Sequence, residues 1–298
     1  MSVDGMMQAG DARSRVVRGL AFLRPVTHTW MGRIGLFLVT LMLVVIVFGP
    51  ALAPHPPNQL NVGLPLTRPG NGLVLGTDNL GRDVLSRLLT GGRMVLLVPI
   101  AAVTLATLTG GLVGMVAAYV GGLFDAIVAR VFDILLTLPP LLIALAVIAG
   151  FGSSVLVLLL TVAVVFAPQI GRVTRGATAA VVTADYVQAA RARGERRITI
   201  AVREIAPNIM APVVSDLALR VTYGVIFVAS LNFLGLGAQP PSSDWGLSIA
   251  NSLGYVQVQP FASLAPVVGV AALSVGLNLI ADSMMRYLSN DSVKDSML

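Results

Sequence analysis

The residues that could do chemistry in this sequence are a few ionisable side chains within long apolar stretches. Asp216 and Arg220, spaced i,i+4, both fall inside the fifth of six such stretches, Ile209 to Leu236. A charge at the centre of a membrane span costs about 2.5–3.5 kcal/mol on insertion scales, so buried charges commonly mark ion or proton paths. Two interpretations of the pair stay open: a local ion pair whose arginine reaches toward the cytoplasm, or the lining of a hydrated pathway.

Two further pairs lie at the ends of apolar stretches. Asp133 follows Arg130 at i,i+3 where the third stretch begins, and Asp282 precedes Arg286 at i,i+4 where the sixth ends. No acidic residue lies centrally in the first four stretches. Because carriers coupled to protons or sodium commonly need such groups near the midplane, the pattern argues against a secondary carrier.

Motifs for catalysis, metal binding and nucleotide binding are missing from the sequence. It has no cysteine, and its two histidines are His28 and His55, so we expect no metal site, histidine triad or cofactor in this chain. Gly-x-Ser-x-Gly and His-Glu-x-x-His are absent, which argues against an intramembrane protease. The only lysine is Lys294 and there is no Walker loop, so any ATP and Mg²⁺ must be held by a partner.

The composition is that of a membrane protein. Of the 298 residues, 56% are hydrophobic and 11% are charged, with a mean hydropathy of +0.86. Soluble domains carry roughly a quarter charged residues. The formal net charge of +6 comes from arginines between apolar runs, which favours a role in orientation within the bilayer over nucleic-acid binding.

The apolar runs predict an all-α fold with six transmembrane helices, since a span needs about 20 apolar residues. The predicted spans are Ile34 to Ala53, Met94 to Tyr119, Ile134 to Ala149, Val155 to Gly171, Ile209 to Leu236 and Phe261 to Met285. The first resembles a signal peptide in its basic leader and Ala51-Leu52-Ala53, but its run exceeds the usual 7–15 residues of a signal core, so we expect a membrane helix. The second carries a stripe of small residues, Gly110, Gly114 and Ala118, suited to close helix packing.

The distribution of basic residues predicts that both termini are cytoplasmic, because 15 lysines and arginines then lie in inner segments and four in outer ones. The predicted organisation is a cytoplasmic segment 1–33, a first helix 34–53, an external loop 54–93, a five-helix core 94–290 and a cytoplasmic tail 291–298. Within the external loop, Leu85, Leu88 and Leu89 share a helical face, Asp83 and Arg87 are i,i+4, and Gly91-Gly92 follows. This predicts a short amphipathic helix on the membrane surface, either inert or a docking site.

The cytoplasmic segment between the fourth and fifth spans, residues 172–208, is the most informative. It predicts one short helix from Asp185 that ends at Gly194, and a second from Glu195 that stops at Pro207, with Ile198, Val202 and Ile205 on one face. Two interpretations stay open, a knob presented to a protein partner and a solvated basic loop.

Several motifs, in order, resemble the second permease of ATP-binding-cassette (ABC) importers for dipeptides, oligopeptides and nickel. The resemblance covers about Leu73 to Asn290. The external motif residues are Gly76, Thr77, Asp78, Gly81, Arg82 and Asp83, and the late ones are Phe233, Gly235, Gly237, Pro240, Trp245, Asn278 and Asp282. Arg130 to Asp133 with Pro139 also fit.

The segment 172–208 resembles the family's ATPase-coupling signature, Glu-Ala-Ala, three residues, then Gly. The residues that correspond to this coupling loop are Tyr186, Val187, Gln188, Ala189, Ala190, Arg191, Gly194, Ile198, Pro207 and Asn208. Gln188 replaces the usual acid, Arg193 a usually apolar residue and Ala206 a leucine.

The resemblance implies a type I ABC importer permease fold in the inner membrane and a non-catalytic role. It implies four kinds of partner: a second homologous permease, one or two ABC ATPases that hold ATP and Mg²⁺, an external substrate-binding protein and the lipid bilayer. The implied cargo is dipeptides or short oligopeptides. The alternative cargoes are nickel chelates, glutathione or an iron- or heme-type ligand. A different class of function, an autonomous carrier, also stays open.

Overall fold

The structure, a computed structural model, describes residue 27, residues 29–70 and residues 72–295, with side-chain surroundings up to residue 286. Its described part is helical, with isolated bridges such as Thr77 to Asp83 in place of strands. Most of the predicted segment 1–33, including His28, and the last three residues of the predicted tail lie outside the described residues.

Eleven α-helices make up most of the described part, and we number them in chain order. They are α1 (Trp30–Leu52), α2 (Val84–Ala106), α3 (Leu112–Val120), α4 (Gly122–Thr137), α5 (Pro140–Phe151), α6 (Val155–Val182), α7 (Asp185–Ala192), α8 (Arg197–Ile200), α9 (Ala206–Phe233), α10 (Trp245–Ser252) and α11 (Phe261–Asp295). Within the described residues, five helical segments are long and apolar enough to cross a membrane, and a sixth span results if the bent pair α4 and α5 is one crossing. The all-α membrane fold is therefore confirmed.

The predicted third span, Ile134 to Ala149, contains the Pro139-Pro140 pair and is sharply bent there. It is divided between α4 and α5, whose axes differ by 88°. Leu138, between them, has the extended conformation (φ −81°, ψ 131°). A residue that precedes proline avoids the helical region, so the Pro139-Pro140 pair ends one helix and begins another.

The predicted amphipathic surface helix is wrong as a separate element, since Gly91-Gly92 does not end it. The helical segment runs from Val84 to Val120, 37 residues, with a π-helical turn at Thr107–Gly111. At 1.5 Å per residue it measures about 55 Å, well beyond the roughly 30 Å of hydrocarbon. The two glycines stay helical, and the absence of side chains there admits a neighbouring segment described below.

The predicted stop at Pro207 is also wrong. The segment Arg197–Phe233 is helical throughout, with a π-helical turn at Ala201–Ile205. In that turn the Ala206 N–H donates to the Ala201 carbonyl, five residues back. This wider turn comes immediately before Pro207, whose ring clashes with the carbonyl four residues earlier in a regular α-helix.

Helix α6 lies at the centre of the bundle and packs against α2, α3 and α9. Its main apolar cluster includes Val103, Val162, Phe166 and Leu231. The small-residue stripe makes the predicted close contact: a β-carbon on Gly110 would lie 2.1 Å from the Ala167 carbonyl oxygen. Helix α1 packs on α11 at the outside of the bundle.

Candidate functional sites

Helix α7 and the start of the α8–α9 segment form a compact knob at one end of the bundle. Val187 and Ala190 of α7 are fully buried against Ile200, Ile205 and Ile209. Residues near the ends of α3 and α6 complete this cluster: Met115, Tyr119, Ala177, Val181 and Val182. The inner face of the knob is thereby packed against the membrane helices.

Gly194 forms the bend of the knob. Its φ is +74°, in the left-handed region that L side chains avoid, and a β-carbon there would meet nothing within 4 Å. The glycine is therefore required by backbone conformation and not by space. It lets the chain reverse between α7 and α8.

The outer face of the knob exposes apolar side chains among several exposed arginines. Ile198 is 78% exposed, Val202 61% and Tyr186 41%. The prediction that Ile198, Val202 and Ile205 share one face is wrong, because Ile205 is fully buried in the knob's interior. The π-helical turn lies between Ile200 and Ala206 and shifts the register, so that spacing in the sequence does not give the shared face.

Polar residues hold the knob in place. Arg191 lies over the Tyr119 ring, 5.5 Å from its centroid. The Gln188 amide Nε2 donates to the Val182 carbonyl at the end of α6 (3.2 Å), a bond that a glutamate at this position could not donate. Asn208 Nδ2 donates to the Glu204 carbonyl (2.6 Å). Ala189 and Pro207 are exposed.

The opposite end of the bundle is built around Asp78. Arg82 Nε donates to Asp78 Oδ2 (2.7 Å), and Arg87 Nε lies 3.7 Å from the same oxygen. The expected Asp83–Arg87 pair is not formed. Asp83 instead caps α2, accepting hydrogen bonds from the backbone N–H groups of Leu85 and Ser86. The carboxylate is used at the helix N-terminus, where orphan N–H groups need acceptors.

Residues of the late motif pack at the same end of the bundle as Asp78. Trp245 is 1% exposed, and its indole N–H donates to the Leu88 carbonyl (2.8 Å). A β-carbon on Gly91 would lie 2.0 Å from the Ser243 carbonyl oxygen, and one on Gly237 1.8 Å from Asn232 Oδ1. These glycines are therefore packing requirements.

The remaining motif residues are dispersed. Gly76, Gly81 and Gly235 have positive φ values of 74°, 71° and 73° and form turns. Thr77 is buried, and its hydroxyl donates to the Leu64 carbonyl (2.5 Å). Phe233, Pro240 and Asn278 are exposed, and Asp282 is half-buried on α11.

Within the membrane helices the predicted Asp216–Arg220 pair is formed, with Nε 2.7 Å from Oδ2. Arg220 Nη1 also donates to Gln169 Oε1 of α6, a partner that spacing could not reveal. The pair lies beside a cavity of about 420 Å³ whose lining includes Pro140, Phe166 and Tyr223.

Two ion pairs between α4 and α6 were missed by sequence reasoning. Asp133 pairs with Arg172, in place of the Arg130 that its spacing suggested, and Asp125 pairs with Arg175 (2.6 Å). Their partners are 39 and 50 residues apart in sequence. Among the described residues, no group of three His, Asp or Glu side chains could hold a metal ion.

Comparison with known proteins accounts for this arrangement. Residues 110–292 match the family model described as the binding-protein-dependent transport system inner membrane component. The matched region contains the knob, the bent helix pair and α9.

Relatives that match most of the chain are permeases. The probable D,D-dipeptide transport system permease DdpC of Escherichia coli strain K12 is 34% identical over 84% of this chain and 84% of its own. The di/tripeptide permease DppC of Pseudomonas aeruginosa is 32% identical (85% and 86%). The glutathione permease GsiD of Pectobacterium atrosepticum is also 32% identical (85% and 84%).

A solved structure has the same fold. The inward-facing MetNI methionine ABC transporter aligns with a TM-score of 0.55 and 16% identity, over 67% of this chain and 95% of the other. At this identity the likeness concerns the fold alone.

Proposed function

From the premise that this chain belongs to the family of binding-protein-dependent transport system inner membrane components, we propose that it imports short peptides together with a second, homologous permease. The chain is a multi-pass permease of the ABC importer type. In this proposal its membrane is the inner membrane, it catalyses no covalent step, and ATP and Mg²⁺ are bound by one or two ABC ATPases. An external binding protein delivers the cargo.

The observation that carries the proposal is the two-sided knob. Its inner face is locked to α3 and α6 through Val187, Ala190 and Ile200. On its outer face, Ile198 and Val202 are exposed and available to a docking partner. An ATPase that moves when it binds and hydrolyses nucleotide could therefore push on the outer face and reposition the helices.

The proposed mechanism is a population shift between two arrangements of the helix bundle. Closure of the ATPases biases the bundle toward the outward-open state, and hydrolysis returns it to the inward-facing state. In this scheme the residues of the chain transmit motion and line a path, while the free energy comes from nucleotide bound elsewhere.

The cargo assignment follows the relatives. Two of those described above are named for dipeptides or di/tripeptides. Glutathione is the second candidate, because the relative named for it is as similar as the di/tripeptide permease, at 32% identity.

The test begins with purification of the tagged chain from its native membrane in mild detergent, with mass spectrometry of stoichiometric partners. We expect a second permease and one or two ATPases with Walker motifs. The recovered complex is then reconstituted, and uptake of a labelled dipeptide is competed with glutathione and with nickel chelates. Recovery of the chain alone, under conditions that keep other membrane complexes intact, would refute the proposal.

A further inference from the structure

The charged pair of α9 lies deep within the helix. Arg220 is 14 residues from the first residue of α9 and 13 from the last, and its partner Gln169 has the same position in α6. Arg220 and Asp216 are largely buried, with side-chain exposures of 15% and 13%. Ionisable groups within membrane helices are costly and commonly pair with one another or face a water-filled cavity. This pair does the first and also lies beside a cavity.

The guanidinium of Arg220 has N–H donors that are not used within the described structure. Nε is used by Asp216 and Nη1 by Gln169, whereas Nη2 has no hydrogen-bond partner among the described residues. Three of its five N–H groups are thus left for other acceptors. Facing hydrocarbon, unsatisfied donors would cost several kcal/mol each, so the guanidinium is placed to meet a polar group.

The cavity beside Arg220 has the composition of a small-molecule site. Its volume of about 420 Å³ is within the roughly 300–1,000 Å³ of ligand pockets. The walls are mainly apolar, from Leu141, Val165 and Phe166, and polar groups come from Gln169, Arg220, Tyr223 and Ser230. One side is formed where α5 begins, at the 88° bend.

The other large cavities differ in chemistry. The groove of about 500 Å³ between the π-helical turn of α2–α3 and α9 has no charged residue in its lining. The cavity of about 390 Å³ near Tyr119 and Arg197 lies at the knob and away from the membrane helices' centre. Of these three cavities, the one at Arg220 combines a mid-helix position with guanidinium N–H groups that have no described partner.

We propose that this cavity is a cargo station in which Arg220, oriented by Asp216 and Gln169, receives the terminal carboxylate of a short peptide. A guanidinium binds a carboxylate through paired N–H donors, while the apolar walls accommodate side chains without selecting them. Asp216 keeps the site near neutral, so the carboxylate is held weakly enough to leave. The proposal rests on the proposed function and names the cargo group recognised, a group that peptides and glutathione share.

The test uses the complete importer in proteoliposomes, supplied with saturating binding protein loaded with a labelled dipeptide. Arg220→Gln should lower uptake about tenfold, while the ATP hydrolysis stimulated by the loaded binding protein stays within about twofold of wild type. Arg220→Lys, which retains the charge but not the paired N–H donors, should restore uptake in part, to a level between Arg220→Gln and wild type. Uptake by Arg220→Gln equal to wild type would overturn the station, and failure of the wild-type complex to import peptide would overturn the proposed function with it.

Photo-crosslinking decides the matter if Arg220→Gln does not assemble. The photoreactive residue p-benzoylphenylalanine is placed at Ile226, which lines the cavity, or at Val214, which lines the apolar groove. During ATP turnover the labelled peptide should be captured at position 226 and not at 214. Import without capture at 226, or with equal capture at both positions, would overturn the station.

Discussion

Asp244 is a buried side chain with a structural role at the start of α10. It caps α10 by accepting the Leu247 N–H (3.2 Å), and it is 1% exposed. Its second oxygen, Oδ2, is buried without a hydrogen-bond partner. Burial therefore raises its pKa to about 6, against the smaller opposing effect of the Leu247 and Gly246 N–H groups and of Asn232.

This raised pKa predicts a specific pH dependence of stability. The unfolded chain releases the proton near pH 3.8 and the folded chain near pH 6, so the folded state binds more protons between these values. Stability from this group is therefore full below pH 3.8 and is lost as the pH rises through 6. The loss amounts to about 3 kcal/mol.

Asp244→Asn keeps an oxygen for the cap and removes the titration. We expect the difference in unfolding midpoint between pH 5 and pH 8 to shrink in this variant, with a higher midpoint than wild type at pH 8, measured in detergent. Because other carboxylates titrate in both proteins, the informative quantity is the difference between variant and wild type. An identical pH profile in the two would contradict the assignment.

Close helix contact is set by glycines, and the helix interface of α3 with α6 gives a matched comparison. A β-carbon on Gly114 would lie 2.2 Å from the Gly171 carbonyl oxygen, whereas one on Gly176, further along α6, would meet nothing within 4 Å. Gly114→Ala should destabilise the protein by about 2 kcal/mol or more, because backbone must move. Gly176→Ala should be neutral or stabilising by up to about 1 kcal/mol. Thermal unfolding of both variants checks this, and equal midpoints would show that the interface adapts.

A second prediction for an element concerns the knob and the coupling of cargo delivery to ATP hydrolysis. Gly194 has a φ of +74° and open space around it, so Gly194→Asn, which tolerates this region, should retain coupling, while Gly194→Val should abolish cargo-stimulated ATP hydrolysis. Membrane insertion should be the same for both. Retained stimulation in the valine variant would remove the knob's assigned role.

The elements also show where sequence reasoning succeeds and where it ends. Apolar length locates the membrane helices because the hydrocarbon core sets a minimum length, and the i,i+4 pair of Asp216 and Arg220 is found because its contact is local. Gly91-Gly92 and Pro207 are predicted from the sequence to end helices, and both predictions are wrong. The two glycines stay helical because Trp245 packs against them, and Pro207 is accommodated by the π-helical turn that precedes it. The Asp133–Arg172 pair has no local signal, since tertiary packing alone joins residues 39 apart.

For the whole molecule, the proposed function has the free energy for transport enter through the outer face of the knob. The described membrane helices hold one deep ion pair, in which Arg220 is bound by Asp216 and Gln169 and keeps further N–H donors. The described part of the chain presents one knob, with Ile198 and Val202 exposed. In the proposed assembly, ATPases press on two knobs, one from each permease.

This architecture predicts that the purified chain alone carries no peptide. In liposomes that contain only this chain, labelled dipeptide should not accumulate under a proton or sodium gradient, whereas the complete complex should accumulate it when ATP and loaded binding protein are supplied. The matched control is the complete complex with Gly194→Val, in which uptake and stimulated hydrolysis should fall together because force no longer reaches the helices. Gradient-driven flux through the lone chain would instead mean that the Asp216–Arg220 pair is itself a coupling site, and the autonomous carrier would replace the importer subunit.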